Sequence, residues 1–268
     1  MRIAYLSDLH LEFEMAAAAI PFDMAGALAP AAGADLIVLA GDIDVGEKAV
    51  TQADTIARVS SLPVIYIAGN HEAYGGDLFD VERRLRQAAW QTDGRVLFLN
   101  CNLARFWFGG EPLVVLGATL WTDYRLMLNT GSKDDSDGQA LQDQDQIQFD
   151  SGPFRPDQAR TLHQKQRRWL DAQLSKLSAE PAHPKILVVT HHAPIPEALG
   201  KRGAVKPAAY ASDLREEIAN WPSLTWIHGH THHRHTTAIG ASQVVSAPRG
   251  YPFAGTANPA YVCGILEL

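Results

Sequence analysis

A chain of 268 residues with 46% hydrophobic and 20% charged residues carries enough apolar material for one α/β unit with a generous core, and a net charge of −7 argues against salt-driven adhesion to nucleic acid. Mean hydropathy of −0.12 and the lack of any apolar run near the ~20 residues of a membrane helix exclude a helical membrane protein. Cys101 and Cys263 are isolated, without C-x-x-C spacing, and read as ordinary buried thiols in a reducing compartment.

The N-terminus runs straight into an apolar stretch at 3–6, which leaves no space for a cleavable signal peptide and points to a cytoplasmic protein. Further short runs rich in Val, Ile and Leu lie at 36–40, 64–68, 114–118 and 186–189, and read as strands buried on both faces. Helix-like stretches alternate with them at 48–61, 78–91, 158–176 and 212–220, with Pro63 and Pro222 as stops. This alternation implies crossover connections and a largely parallel sheet.

The last quarter differs: 225–228, 236–239, 243–246 and 261–267 are strand-like and joined by short Gly-, Asn- or Pro-containing links, which suggests an antiparallel meander. Residues 16–30 are Ala-rich and form a small helix or a loop. Residues 123–156 lack periodicity, and 131–138 have the composition of a solvated loop, so this segment is either a lid or a tolerated insertion. Neither an internal repeat nor a linker is evident, and one domain spanning 1–268 is expected.

Polar elements follow these runs in order: Asp8-Leu9-His10, Gly41-Asp42, Gly69-Asn70-His71-Glu72, Thr190-His191-His192 and His228-Gly229-His230. Strand ends that converge would bring carboxylate, amide and imidazole donors to one place. That mixture suits a pair of divalent Mn, Fe or Zn ions rather than Ca or a thiolate-bound metal. Asp8 and His10, two apart in an extended turn, point to the same side and can chelate one cation. Read alone, the pair is better taken as a helix or turn cap at Asp8 and a surface residue at His10.

Gly41 lets the backbone pass close to other groups, and Asp42 is assigned as the bridging carboxylate that holds two cations ~3.5–4 Å apart. Asn70 offers a neutral oxygen to the second. His228 and His230, on one side of an extended segment, should contact different cations. The first metal would then have Asp8, His10, Asp42 and His230, and the second Asp42, Asn70, His228 and one of His191 and His192.

Taken together these elements resemble the calcineurin-like metallophosphoesterase superfamily, whose pattern is D-x-H, G-D, G-N-H-(E/D), H and G-H-x-H, over residues 7–230. The resemblance implies a four-layer sandwich: two mixed β-sheets packed face to face, helices outside, and a dinuclear metal site at the strand ends. It gives His191 the metal position and leaves His192 to touch substrate or water. It makes His71 the histidine that faces substrate without binding metal. Glu72 would orient backbone or imidazole, or be an exposed carboxylate at a helix start.

Arg249 would reach a substrate phosphate or instead fix its turn through carbonyl hydrogen bonds. His232, His233 and His235 extend the last motif into a His-rich, largely exposed turn. Trp121, Asp123 and Tyr124 line the mouth or belong to the core, and His163 and His183 have no partner pattern.

Two dications, two carboxylates and a bridging hydroxide leave an excess of about one positive charge, which favours anionic phosphate. Metal binding would lower the pKa of water from ~15.7 toward ~7 for in-line attack on phosphorus, and His71 would protonate the departing oxygen. The expectation is a phosphoesterase for small phosphate mono- or diesters, with a cyclic-nucleotide phosphodiesterase and a non-catalytic metal-binding scaffold as alternatives. A serine/threonine protein phosphatase would carry G-D-x-x-D-R-G, whereas Gly41-Asp42-Ile43-Asp44-Val45-Gly46 lacks the arginine. A nucleic-acid-cleaving member would need a basic stripe that is not evident.

Overall fold

The computed structural model describes residues 1–126, 142–202, 207–221, 223–253, 256, 258 and 260–268. The chain begins with β1 (Arg2–Leu6), a short α1 (Met24–Leu28), β2 (Leu36–Ala40), α2 (Lys48–Ser60) and β3 (Val64–Ile67). It continues through β4 (Gly76–Asp77), α3 (Leu78–Trp90), β5 (Val96–Phe98), β6 (Asn102–Phe108) and β7 (Glu111–Ala118). Next come α4 (Asp143–Gln146), β8 (Ile147–Phe149), β9 (Gly152–Pro153), α5 (Pro156–Ser178) and β10 (Lys185–Thr190). The last elements are α6 (Pro207–Tyr210), α7 (Arg215–Asn220), β11 (Leu224–His228), β12 (His235–Ile239), β13 (Ser242–Ser246) and β14 (Gly264–Glu267).

Local chemistry sets several boundaries. α3 starts where the Asp77 carboxylate accepts from the backbone N–H of Phe79 and Asp80, satisfying donors that a helix start leaves open. α2 stops at Ser61, which turns left-handed (φ 57°) two residues before Pro63.

Among the described residues the strands make two large mixed sheets, ordered β14-β1-β2-β3-β5 and β12-β13-β11-β10-β7-β6, and a small β4-β8-β9 sheet. Inside the large sheets the pairs β1–β2, β2–β3, β3–β5, β7–β10, β10–β11 and β11–β13 are parallel. β14, β12 and β6 pair antiparallel at the margins.

The large sheets face each other. Ile3, Tyr5, Leu36, Val38, Ile65 and Ile67 from one meet Leu113, Val115, Leu187, Val189, Ile227 and Val245 from the other. The alternate residues of the same strands point outward: Ala4, Leu6, Ile37, Leu39 and Tyr66 pack on Ala53 and Ile56 of α2 and Val81 and Leu85 of α3. On the opposite side Val114, Leu116, Val188 and Trp226 pack on Leu170, Leu174 and Leu177 of α5 and Ile218 of α7. Both faces of each central strand are therefore dry, which is why these strands are apolar throughout rather than alternating. Each large side chain so buried contributes about 1.5–3 kcal/mol of transfer free energy.

The C-terminal meander is not what forms. β11 and β13 pair in parallel with Thr225 opposite Gln243, and only β12 and β13 make an antiparallel hairpin. The 261–267 stretch shortens to β14 and crosses to the other sheet, where Ile3 pairs with Leu266. Short polar links permit a hairpin but do not choose between sheets; burial of Leu266 beside Ile3 in the intersheet core does. Residues 127–141, including 131–138, lie outside the described residues, and 142–156 contribute α4, β8, β9 and the first residue of α5. Among the described residues no helix is long and apolar enough to cross a membrane.

Candidate metal centre

Parallel strands of the two sheets end at a common edge, and the loops that leave them are tied together by backbone hydrogen bonds. Asp8 N–H donates to Gly41 O (2.9 Å), His191 N–H to Thr119 O (3.1 Å) and Gly229 N–H to His191 O (3.0 Å). Asp8, His10, Asp42, His230 and His232 all take positive φ, between 49° and 67°. Each such non-glycine residue costs about 1–3 kcal/mol. Strain concentrated at one strand-end edge is a mark of a functional site.

Gly69 makes room for the cluster. A Cβ at this position would fall 2.2 Å from Asp42 Oδ1 and 2.7 Å from the His191 ring. Glu72 holds the same loops from below: its carboxylate accepts from the backbone N–H of Asp42 (3.1 Å), Ile43 (2.9 Å) and Gly69 (2.7 Å) and from the Tyr66 hydroxyl (2.9 Å). Burial and the Asp42 charge push the Glu72 carboxyl up to about 7 against those donors. Glu72 thus orients backbone, not imidazole.

Three groups in the cluster can hold a metal ion: Asp8, His10 and His232; His10, Asp42 and His71; and Asp42, His191 and His230, the ligand atoms of each lying within 4.8 Å of one another. Asp42 is common to two of them. The hydrogen-bond pattern fits cations. His191 Nδ1–H donates to Ala40 O (2.9 Å), so its Nε2 lone pair faces Asn70 Oδ1 at 3.1 Å and Asp42 Oδ2 at 3.3 Å. Three acceptors pointing at one spot need a proton or a cation between them. Burial opposes charge on His191, but the Asp42 and Asp8 carboxylates overcome it and raise the ring to about 10.

The neighbouring spot repeats the pattern. His10 Nδ1–H donates to Glu12 Oε1 (3.0 Å), leaving its Nε2 lone pair 3.0 Å from His232 Nε2, which lies 3.4 Å from Asp8 Oδ1. Asp8 Oδ1 accepts the His230 N–H (2.8 Å), while the buried Asp8 Oδ2 has no partner. The His230 ring directs Nε2–H to Ala209 O (3.3 Å), which leaves Nδ1 as its acceptor atom.

His71 sits between these spots. Its backbone N–H donates to Asp42 Oδ1 (2.9 Å) and its Nδ1–H to Glu12 Oε1 (2.8 Å), which turns Nε2 toward Asp42 Oδ2 (4.0 Å) and the Tyr251 hydroxyl (3.4 Å). Tyr74 stacks on the ring at 4.2 Å. Burial lowers the tendency of His71 to charge, yet the Asp42 and Glu12 carboxylates outweigh it and raise the ring to about 9.

Three expectations need correction or refinement. His228 is in none of the three groups: its Nε2 lies 2.7 Å from His235 Nε2 and its Nδ1 2.8 Å from Gly229 O, and burial with His235 pushes the ring down to about 3. The reason is local. The chain leaves β11 at His228 and turns left-handed at His230 (φ 67°) and His232 (φ 50°), so the two-residue alternation that paired 228 with 230 ends there. Read strictly, G-H-x-H is Gly229-His230-Thr231-His232, and in the structure His232 stands with Asp8 and His10 while His230 stands with Asp42 and His191.

Arg249 does not face the cluster. Its guanidinium donates to Leu9 O (2.7 Å), Ile20 O (2.6 Å) and Glu14 Oε1 (2.8 Å) and lies over the Phe22 ring. His192 is buried beside the cluster, with Nδ1 3.4 Å from Thr119 O and its ring against Trp121 and His230, and burial with the His191 charge drives it down to about 3.

Glu12 and Asp143 were not singled out from sequence. Glu12 lies in the short 3-10 turn Leu11–Phe13 that follows His10, and a carboxylate this close in sequence to Asp8 and His10 was the signal available. Asp143 lies in an aperiodic segment and gives none. It is buried, and its Oδ1 accepts from Asn70 Nδ2 (2.8 Å) and the Tyr74 hydroxyl (2.9 Å).

A family model described as calcineurin-like phosphoesterase matches residues 1–234. Among solved structures, a phosphopantetheinyl hydrolase from Mycobacterium tuberculosis superposes with a TM-score of 0.68 at 14% identity, covering 93% of this chain and 89% of that one. A dimetal phosphatase from Danio rerio does so with a TM-score of 0.58 at 17% identity, covering 100% and 92%. No curated protein matches the sequence. At these identities the structural likeness speaks for the fold alone.

Proposed function

The chain belongs to the calcineurin-like phosphoesterase family and is a metal-dependent phosphoester hydrolase, and from that premise we propose that it works with two divalent cations, to both of which Asp42 would contribute. One would be held by Asp8, His10, Asp42 and His232, the other by Asp42, Asn70, His191 and His230. The observation that carries this reading is the two converging sets, Asp8 with His10 and His232 and Asp42 with His191 and His230, with the buried Asp42 Oδ2 also 3.9 Å from His10 Nε2. Donors of imidazole, carboxylate and amide type suit Mn, Fe or Zn. When bound, such a pair supplies Lewis acidity that activates water and offsets phosphate charge.

The protein's own groups do the rest. His71 carries a proton at Nε2 toward the departing ester oxygen, with Glu12 fixing the tautomer from the far nitrogen. Glu72 keeps the Asp42 and Gly69 backbones in place so that the bridging carboxylate does not swing out. The substrate on this reading is a small phosphate mono- or diester.

The test is hydrolysis by metal-free protein reloaded with Mn²⁺, Fe²⁺ or Zn²⁺. The panel is p-nitrophenyl phosphate, bis-p-nitrophenyl phosphate, a phosphopantetheinyl ester, and 2′,3′- and 3′,5′-cyclic nucleotides. Turnover of a linear mono- or diester that needs added metal supports the reading. Turnover confined to cyclic nucleotides would make it a cyclic-nucleotide phosphodiesterase, and silence across all metals and esters would revive the scaffold.

A further inference from the structure

The amide of Asn70 has a carbonyl and an NH₂ that differ little in shape, so nothing intrinsic decides which end faces the His191 imidazole. Only the carbonyl end can ligate a cation. A side-chain amide keeps one orientation when its neighbours accept hydrogen bonds on one side and nothing else is available to them. That side is supplied here by Asp143. Its Oδ1 accepts one Asn70 N–H at 2.8 Å, and Tyr74 Oη accepts the other at 3.1 Å. The Tyr74 hydroxyl donates to the same Asp143 oxygen at 2.9 Å and closes the ring. An ionised carboxylate cannot donate. Flipping the amide would set the Asn70 carbonyl against that oxygen and turn its NH₂ toward His191 Nε2 and Asp42 Oδ2.

Asp143 comes from the segment between β7 and α5, which no motif marks. It is anchored where it can act: Gly75 N–H donates to Gln146 O (2.8 Å), and β4 pairs with β8, Gly76 opposite Ile147 and Asp77 opposite Gln148. The residues just after Asn70 and His71 and those just after Asp143 are thus hydrogen-bonded to each other. Asp143 is 4% exposed, so its carboxylate is not a surface charge that happens to lie nearby. Asp143 also differs from the proposed ligands in having its accepting oxygen already taken by two donors.

We propose that Asp143 is a positioning residue for the second cation: it locks the Asn70 amide with its oxygen toward the metal, so that a side chain at the start of α4 tunes the affinity of that one position. The inference rests on the two-cation reading above and deepens it. It assigns Asp143 no contact with substrate or with the reacting atoms.

The experiment is Mn²⁺ titration of the metal-free full-length chain, followed by calorimetry and by electron paramagnetic resonance, which separates a coupled Mn pair from a single ion. Asp143→Leu keeps side-chain bulk without an acceptor, Asp143→Ala removes both, and Asp143→Asn keeps an acceptor oxygen. Loss of the acceptor should weaken the second Mn²⁺ by about 10–100-fold and abolish the coupled signal, with the first Mn²⁺ unchanged, whereas Asp143→Asn, which keeps an acceptor oxygen but can also turn its NH₂ toward a flipped Asn70, should fall between the wild type and Asp143→Leu.

Thermal unfolding of each metal-free variant identifies those that keep the wild-type fold, and Asp143→Leu guards against collapse of the Ala variant. Two Mn²⁺ bound at wild-type affinity by a folded Leu or Ala variant would overturn the inference, as would equal weakening of both ions. Wild-type protein that takes up no Mn²⁺ pair would overturn the two-cation reading itself, and this inference with it.

Discussion

Glu12 and His71, 59 residues apart in sequence, meet at 2.8 Å through Glu12 Oε1 and His71 Nδ1, and the same oxygen receives His10 Nδ1–H at 3.0 Å. One carboxylate oxygen therefore sets the tautomer of a proposed metal ligand and of the proposed proton donor together. Replacement by Gln keeps size but removes the charge and offers one amide oxygen to two N–H groups. Glu12→Gln should lower kcat by about 10–100-fold.

The same substitution has a pH signature. The Asp42 and Glu12 carboxylates raise the His71 ring, and the proton must be present for delivery, so activity falls as pH rises through the His71 value. Removing the Glu12 charge lowers that value. The alkaline limb of the kcat profile should shift to lower pH in Glu12→Gln; an unmoved limb would detach Glu12 from proton delivery.

His71 and Asp42 should separate cleanly by metal content. His71 reaches the cluster through a ring whose Nδ1 is already held by Glu12, so His71→Ala should keep both metals and lose roughly 10²- to 10⁴-fold in turnover, most for esters with poor leaving groups. Asp42→Asn should instead deplete both positions, because Asp42 Oδ2 lies 3.3 Å from His191 Nε2 and 3.9 Å from His10 Nε2, one in each proposed ligand set. Elemental analysis of the two purified variants checks this, and equal metal loss would mean that His71 is a ligand.

The histidines at 228 and 232 give a second contrast. His232→Ala should lose one cation, since its Nε2 faces His10 Nε2 and Asp8 Oδ1, whereas His228→Ala should bind both with unchanged affinity. His228 instead pairs with His235, so its loss should show in stability alone. Calorimetric metal titration beside thermal unfolding measures the two effects; loss of a cation in His228→Ala with His232→Ala intact would restore the original assignment.

What could be seen in advance followed from how local the cause was. The runs that became β1, β2, β3, β7 and β10 were legible because both faces of these strands are buried, which makes them apolar at every position. Asp8, His10, Asp42, Asn70 and His191 were legible because they fall just past those runs. His228 was misplaced because an alternation rule was carried beyond the strand end, into residues with positive φ that break it. β5 was invisible at three residues, and β14 chose its sheet through the distant partner β1. Asp143 meets Asn70 across 73 positions through a segment without periodicity, and no short-range pattern encodes that.

Arg249 supplies a case where stability and catalysis should come apart. The residue after Pro248 was a candidate for gripping phosphate, but its guanidinium ties the Leu9 and Ile20 carbonyls and Glu14 across the loop that follows β1, and it is buried there. Arg249→Met keeps much of the stem and removes the donor from both carbonyls, and the buried Leu9 carbonyl left unsatisfied costs about 1–3 kcal/mol. The loop it braces carries His10 and Glu12, so some loss of turnover can follow from loosened geometry. A residue that grips substrate would instead raise KM steeply with stability intact. Arg249→Met should therefore lower the Tm of the metal-loaded protein while KM for a phosphate ester stays within about threefold, the reverse of what a substrate contact worth a charged hydrogen bond would show. A large KM increase at unchanged Tm would return Arg249 to the substrate site.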